Sequence, residues 1–233
     1  MLKRFFIIVA VTSFIGLNVL SAEVSYFSEA NFGATIINSN GLNKITEGLD
    51  AGYVTSLGKI HTPMSFSGII GIGFGRSKIG AEGIYEFASK SSYSSIYDVT
   101  EKLDYSMSSI GFKYQYEFFR SERWGMFSSC SVGILFPNLS LSTDPHIDET
   151  DPYTMSATGF SISPGVDFLY KATSHFGVIT SLSFRYATTS GFSYSNTTTR
   201  HNAGDNVTFA DGSILTLNLS GLKFLIGIMF NWS

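Results

Sequence analysis

Large apolar side chains recur at every second position along most of this chain. From residue 66 to residue 74 the even positions carry Phe, Gly, Ile, Ile and Phe, whereas the odd positions carry Ser, Ile, Gly and Gly. The same period of two runs through residues 79–88, 110–118, 160–170, 176–186 and 222–232. Successive side chains of a β-strand point to opposite sides, so this period indicates strands with two unlike faces. The chain is therefore predicted to be all-β.

The strands and the connections between them follow a regular order. We predict eight strands, at about residues 23–37, 64–76, 79–89, 104–119, 124–136, 155–170, 175–188 and 213–232. The odd-numbered connections are long, at residues 38–63, 90–103, 137–154 and 189–212. The even-numbered connections are short, at residues 77–78, 120–123 and 171–174. The stretch "DAGYVTSLG", residues 50–58, also alternates, so ten strands remain an alternative to eight.

The alternation of short and long connections favours a transmembrane barrel over a soluble β-sandwich. Barrels of the bacterial outer membrane have short periplasmic turns and long external loops, which places both termini on the periplasmic side. A sandwich would expose charges on its second stripe, but that stripe is rich in Gly and Ser. Charged residues make up only 14% of the chain, against 15% aromatic residues, and soluble domains typically contain ~25% charged residues. We predict a closed eight-stranded antiparallel transmembrane β-barrel with four long external loops.

The N-terminus is typical of a secretory signal peptide. Lys3 and Arg4 precede an apolar run from Phe5 to Leu20, and Ser21 and Ala22 are small residues suited to cleavage. The predicted domains are a signal peptide at residues 1–22 and an outer-membrane barrel at residues 23–233. An uncleaved anchor is the alternative, although the apolar run is shorter than the ~20 residues of a spanning helix.

Little in the sequence indicates an enzyme. His61, His146, His175 and His201 lie in predicted loops or turns, without a second His or Cys at ligand spacing. The lone Cys130 is interpreted as a small apolar side chain, and "DPHIDETD" as a solvated acidic loop. A net charge of −3 excludes the basic surface that nucleic-acid binding requires. We predict no catalytic residue, no metal and no cofactor.

Charged residues on the predicted inner face form the best candidate for a site. The interior of an eight-stranded barrel is just wide enough for side chains to fill it, and buried charges need partners. We expect Glu86 to pair with Lys113 and Glu29 with Lys223. The group is either a structural ion-paired plug or a narrow pathway that mildly attracts cations, because it contains five acids and three bases. Its eight members, here called the lumen charge network, are Glu29, Glu82, Glu86, Lys113, Glu117, Asp167, Arg185 and Lys223.

The C-terminal stretch "GLKFLIGIMFNWS" carries a resemblance to a known group. Gly227, Phe230 and Trp232 match the signal strand with which small outer-membrane barrels end. The chain thus resembles the small eight-stranded outer-membrane proteins, which include the OmpA transmembrane domain, OmpX, OmpW and the opacity proteins. The resemblance implies contact with outer-membrane lipid and recognition of this strand by the barrel-assembly machinery.

These expectations define two functional hypotheses. The first is a non-enzymatic surface protein of the outer membrane, with a structural role or with long loops that contact a host, a surface or another extracellular ligand. The alternative is a narrow OmpW-like channel for small hydrophobic or small polar solutes. Pro164 lies inside a predicted strand and has no N–H to donate, so one hydrogen bond to a neighbouring strand is lost. A lateral opening of the barrel wall would need such a gap between strands.

Overall fold

The fold was analysed in a computed structural model. It describes residues 24–37, 62–94, 99–144, 153–197, 202–209 and 212–232. The predicted signal peptide at residues 1–22 and the alternating stretch at 50–58 lie outside the described residues. Within the described ranges, no helix is both long enough and apolar enough to cross a membrane.

Eight long antiparallel strands close into a barrel, as the period of two predicts. The strands are β1 (Val24–Ile37), β2 (Met64–Phe74), β3 (Ser77–Ser94), β4 (Val99–Arg120), β5 (Trp124–Asp144), β6 (Tyr153–Ser156), β7 (Gly159–Lys171), β8 (Phe176–Thr189), β9 (Ser193–Tyr194) and β10 (Gly221–Trp232). The first and last strands, β1 and β10, pair and close the barrel, and β4 pairs with β5 as well as with β3. The two short strands β6 and β9 extend the sheet beyond β5 at one end.

The two ends of the barrel differ, and they are named here by their connections. The turn end carries the three short connections together with Val24 and Trp232, and the loop end carries the longer connections. At the turn end, Gly75 and Arg76 alone form the turn between β2 and β3. Gly75 has a φ of 62°, which glycine adopts without strain. The predicted turn at residues 77–78 is therefore wrong by two residues, and both of these residues belong to β3.

The outer surface of the barrel is apolar. Ile70, Ile110 and Phe112 are 66%, 64% and 61% exposed, and they belong to a continuous band of exposed large side chains. Soluble monomers rarely expose apolar patches larger than a few hundred Å². Aromatic pairs border the band at the turn end, where the rings of Trp124 and Tyr170 lie 4.8 Å apart.

The predicted boundaries fail at the loop end, where strands replace two of the expected loops. β3 and β4 continue into residues 90–103, and β5 and β6 occupy much of residues 137–154. The strands continue because side chains still alternate between the two faces there. The inner face, however, is now the apolar one, and Leu103, Tyr105 and Met107 point inward. Tyr105 is 1% exposed and belongs to the interior.

Most of the described residues between β8 and β10 fold into the loop end of the barrel. Residues 213–220 are extended but outside β10, contrary to the prediction of a strand from 213, and they contact neighbours through isolated bridges. Backbone hydrogen bonds from Thr189 to Leu217 and from Phe192 to Leu215 fix the segment in place. The buried side chains of Phe192, Val207 and Leu215 thereby join the core.

Candidate functional site

All eight residues of the lumen charge network are buried on the inner face. Their exposure lies between 0% for Glu86 and 7% for Lys113. The strand pleat explains this placement, because inward positions recur at every second residue. Whether the network has a structural role or forms a pathway stays a prediction.

A first cluster crosses the lumen near its middle and joins β1, β4 and β7. Lys113 Nζ lies 2.9 Å from Asp167 Oδ2 and 3.8 Å from Glu29 Oε2. Gln115 Nε2 donates to the same two acids, at 3.0 Å to Glu29 Oε1 and 2.7 Å to Asp167 Oδ2. One ammonium and one amide thus bridge two carboxylates that would otherwise repel each other. Gln115 lies on the inner stripe of the sequence, but a search restricted to charged residues missed it.

A second cluster lies closer to the loop end and is centred on Glu86. Arg185 Nη1, from β8, donates to Glu86 Oε1 at 2.7 Å. The hydroxyls of Thr35 and Ser65 donate to the same oxygen at 2.8 and 3.3 Å. Arg185 Nε also donates to the carbonyl of Leu219 at 3.0 Å. The Arg185 side chain therefore spans the lumen and ties the wall to the segment that fills the loop end.

Both ion pairs expected from the sequence are wrong. Across β3 and β4, Glu86 is opposite Met107, and Lys113 is opposite Gly80. Across the closing seam, Glu29 is opposite Met229, and Lys223 is opposite Thr35. Register separates the members of each expected pair by six residues along the strand, or roughly 20 Å of backbone. The charged side chains find partners across the lumen instead.

Glu82 and Lys223 lie between the two clusters. They are 5% and 3% exposed, and no described residue forms a hydrogen bond or ion pair with either side chain. The carboxylates that act most strongly on Lys223 are those of Glu82 and Glu86. These two residues contribute opposite charges to the middle of the lumen without direct contact. A cavity of about 10 Å³ adjoins Glu82 and Arg185, enough for about one water molecule.

Glu117 belongs to a separate group at the turn end. It forms an ion pair with Arg120, and Lys171 Nζ lies 3.9 Å from its Oε1 atom. A β-bulge between Glu117 and Phe119 inserts one extra residue into β4. Phe118 and Phe119 are both exposed at this bulge, and Arg120 lines the turn end of the lumen. Period-two counting could not have assigned Arg120 to the lumen.

Four cations missed by the sequence analysis change the charge balance of the lumen. Arg76, Lys78, Arg120 and Lys171 line the turn end beside Glu117, which brings the bases from three to seven against five acids. Bases therefore outnumber acids in the described lumen, whereas the expected mild attraction for cations rested on a count of five acids and three bases. Lys78 and Lys171 were assigned to turns in the sequence. Each is nevertheless the next inward position, two residues along, on β3 and on β7 respectively.

Apolar side chains pack in the lumen on both sides of the first and second charge clusters. The turn-end layer consists of Phe27, Ile69, Phe127, Leu169, Ile179 and Met229. The loop-end core is larger and includes Leu139, Met155, Phe192 and Leu217 among its fully buried members. The apolar residues Leu225 and Met229, which interrupt the inner stripe of the C-terminal strand, are 3% and 0% exposed because they fill the lumen.

The predicted signal strand forms the closing seam of the barrel. Phe230 and Trp232 face outward, with exposures of 43% and 45%. Gly227 lies opposite Asn31 on β1, and a Cβ atom there would overlap the carbonyl of Ala30. The seam therefore leaves no room for a side chain at Gly227. Recognition of this strand by an assembly machinery stays a prediction.

The described residues contain no cluster of His, Cys, Asp and Glu side chains that could hold a metal ion. His175 is the one histidine within the described ranges, and its Nδ1 atom lies 3.1 Å from the carbonyl oxygen of Asn231 in an exposed turn. Cys130 is a free thiol on the outer face of β5, opposite Pro164. The acidic stretch at residues 145–151 lies outside the described residues.

Comparison with solved structures identifies the class of the fold. No protein-family model and no curated protein matches the sequence. A major outer membrane protein from Thermus thermophilus is similar at a TM-score of 0.52 and 12% identity, covering 90% of this chain and 100% of that chain. The outer membrane protein OprG from Pseudomonas aeruginosa has a TM-score of 0.52 and 9% identity, covering 91% and 97%. The attachment invasion locus protein Ail of Yersinia pestis scores 0.44 at 11% identity, covering 91% and 100%.

The fold is that of the small eight-stranded outer-membrane β-barrels. The solved proteins that share it come from the outer membranes of bacteria. The solved proteins include barrels with adhesive, structural or channel roles, and the fold alone assigns none of these roles to this chain.

Proposed function

We propose that this chain is a non-enzymatic integral protein of the bacterial outer membrane, exported with a cleaved signal peptide, that acts through its loop end. In this arrangement the apolar outer band contacts lipid, both termini are periplasmic and the loop end faces the outside of the cell. Outer-membrane lipid and, during biogenesis, the barrel-assembly machinery are then its first partners. An extracellular ligand bound by the loops is the further partner that this role requires.

The filled middle of the lumen is the observation that carries this proposal. Two apolar layers enclose the two charge clusters centred on Lys113 and Glu86, and the cavity beside Glu82 and Arg185 measures only about 10 Å³. An open aqueous path would need the Arg185–Glu86 contact, at 2.7 Å, to break together with the packing of the loop-end core. Breaking a buried ion pair costs about 3–5 kcal/mol, because an uncompensated charge is left behind.

A lateral route through the wall is the second candidate function. The ladder between β7 and β8 is continuous on either side of Ser163 and Pro164 but is interrupted at these two residues. Proline has no N–H to donate, and the pairing of β7 with β8 is missing at this point. Small hydrophobic solutes could leave a barrel there without crossing the filled lumen. This route corresponds to the OmpW-like alternative.

Single-channel recording in planar bilayers tests the main proposal. We expect purified folded protein to give no discrete openings, because the lumen is filled. Discrete openings whose conductance changes in Glu86→Gln or Lys113→Met would contradict the proposal and favour a polar channel. Uptake of a hydrophobic dye into proteoliposomes, with Pro164→Ala as the matched variant, tests the lateral route. Dye uptake that depends on Pro164 would favour that route over a role confined to the loop end.

A further inference from the structure

An open cavity lies at the turn end of the lumen, below the turn-end apolar layer. It has a volume of about 340 Å³, within the ~300–1,000 Å³ range of small-molecule sites. Phe127 and Leu169 of the apolar layer close it on the inner side, and the turns between strands surround its mouth. We name it the turn-end cup.

The turn-end cup is strongly basic. Arg76, Lys78, Arg120 and Lys171 line it, and Glu117 is the one acid among its lining residues, which leaves three excess positive charges. Glu117 already contacts Arg120 and Lys171. Among the described residues, nothing forms an ion pair or hydrogen bond with the Arg76 side chain. Like charges gathered in one cavity repel one another, so an anion would stabilise this arrangement.

Lys78 has no acidic partner in contact. Its Nζ atom donates to Asn231 Oδ1 at 3.0 Å and contacts Met229 Sδ at 3.1 Å. The same atom lies 5.1 and 5.2 Å from the ring centroids of Phe27 and Phe127. Neutral amide, sulfur and π contacts hold the ammonium in position without cancelling its charge. A partly buried lysine otherwise pairs with a carboxylate, so this one is positioned to bind an incoming anion.

We propose that the turn-end cup binds a phosphate group. Arg76 and Arg120 can offer guanidinium forks, Lys78 and Lys171 can offer point charges, and Ser25 and Ser174 add hydroxyls to the lining. The phosphate belongs either to a small soluble ester or to a lipid headgroup at the membrane surface. This site is independent of the proposed role of the loop end, which could fail while the cup still binds phosphate.

Binding of glycerol 3-phosphate to the whole folded barrel, in an uncharged detergent, tests the proposal by isothermal titration calorimetry. We expect saturable binding that sodium chloride at equal ionic strength does not reproduce. Lys78→Met should weaken binding at least tenfold and Arg76→Gln several-fold. Lys102→Gln, an exposed charge at the loop end, should leave binding unchanged. Arg76 lies in an exposed turn, so its variant keeps the test valid if Lys78→Met fails to fold.

A second pair of probes identifies the source of the phosphate. Glycerophosphoglycerol and dihexanoylphosphatidylglycerol share a headgroup and differ only in their acyl chains. Equal affinity for both would support a soluble ester, and binding of the acylated form alone would support a lipid headgroup. If none of the three phosphate probes binds, or if Lys78→Met and Arg76→Gln bind as tightly as the unchanged chain, the proposal is wrong.

Discussion

The middle of the barrel and its loop end are built by the same strands but with opposite polarity. In the middle of β4, Ile110 and Phe112 face outward, while Lys113 and Gln115 face inward. Toward the loop end, the inner stripe of β4 becomes apolar, with Leu103, Tyr105 and Met107. The outer stripe there becomes polar, with Lys102, Asp104 and Ser106.

β5 reverses its polarity at the same height. Ser129 and Ser131 line the lumen where Val132 and Ile134 face outward. Beyond this point Leu139 and Leu141 are buried, while Asn138 faces outward. An apolar outer face requires lipid, whereas an apolar inner face with a polar exterior is the arrangement of a soluble β-domain. If the chain lies in the outer membrane as proposed, the reversal is expected at the edge of the lipid.

The two regions should consequently depend on different forces. Buried charges and hydrogen bonds hold the middle of the lumen, where loss of one partner leaves a charge uncompensated. Apolar packing holds the loop end, where loss of a side chain leaves a cavity. The predictions that follow test this difference by equilibrium guanidinium unfolding in liposomes, from the largest expected effect to the smallest.

The largest effect is expected in the middle, for Arg185→Met. Glu86 would keep its buried carboxylate but lose its cation, so unfolding free energy should fall by about 3–5 kcal/mol. The double variant Arg185→Met/Glu86→Gln should recover part of this loss. Lys102→Met breaks an exposed pair with Asp104, 2.8 Å long, and should change stability by only about 0–1 kcal/mol. Equal losses for Arg185→Met and Lys102→Met would contradict a network held by buried charge.

A loss of about 2–5 kcal/mol is expected at the loop end for Leu217→Ala. Leu217 is 1% exposed within the loop-end core, and its backbone is bonded to Thr189. Ile214→Ala, in the same segment but 46% exposed, is the matched control and should cost less than about 0.5 kcal/mol. If both variants unfold alike, the segment does not pack into the barrel as a core.

A smaller effect, about 1–3 kcal/mol, is expected at the closing seam for Gly227→Ala. The added Cβ would meet the backbone of Ala30, so β1 and β10 would have to separate. Gly68→Ala is the control, because nothing lies within 4 Å of a Cβ atom at that position. Stability unchanged within ~0.5 kcal/mol is expected there. A greater loss for Gly68→Ala than for Gly227→Ala would refute the close approach at the seam.

The sequence predicts the strands well because their period of two is a local property. The sequence also places all eight members of the lumen charge network on the inner face, because that assignment needs only the count of every second residue along a strand. The pairing of those charges was out of reach, because partners such as Arg185 and Glu86 meet across the lumen, from strands that are not neighbours. Arg120 was missed for a different reason, since a bulge shifts the phase of β4.

The strand ends predicted at the loop end are wrong. They were placed where the polar and apolar stripes exchange sides, although the period of two continues beyond that point. The inner stripe of β4 changes from the polar Lys113 to the apolar Leu103, and this change was taken for the end of the strand, although β4 continues to Val99. The apolar residues Leu215, Leu217 and Leu219 alternate in the segment before β10 and were assigned to a strand. They instead fill the loop-end core.

Spin-label accessibility along β4 tests the polarity reversal most directly. Single cysteines at positions 104 and 112, in a Cys130→Ser background, would carry the label on the outer face of the folded barrel in liposomes. Eight residues of strand separate the two sites by roughly 27 Å. We predict that a water-soluble nickel complex relaxes the label at 104 and that oxygen relaxes the label at 112. Labels that report lipid at both sites, or water at both, would contradict a lipid boundary at the reversal.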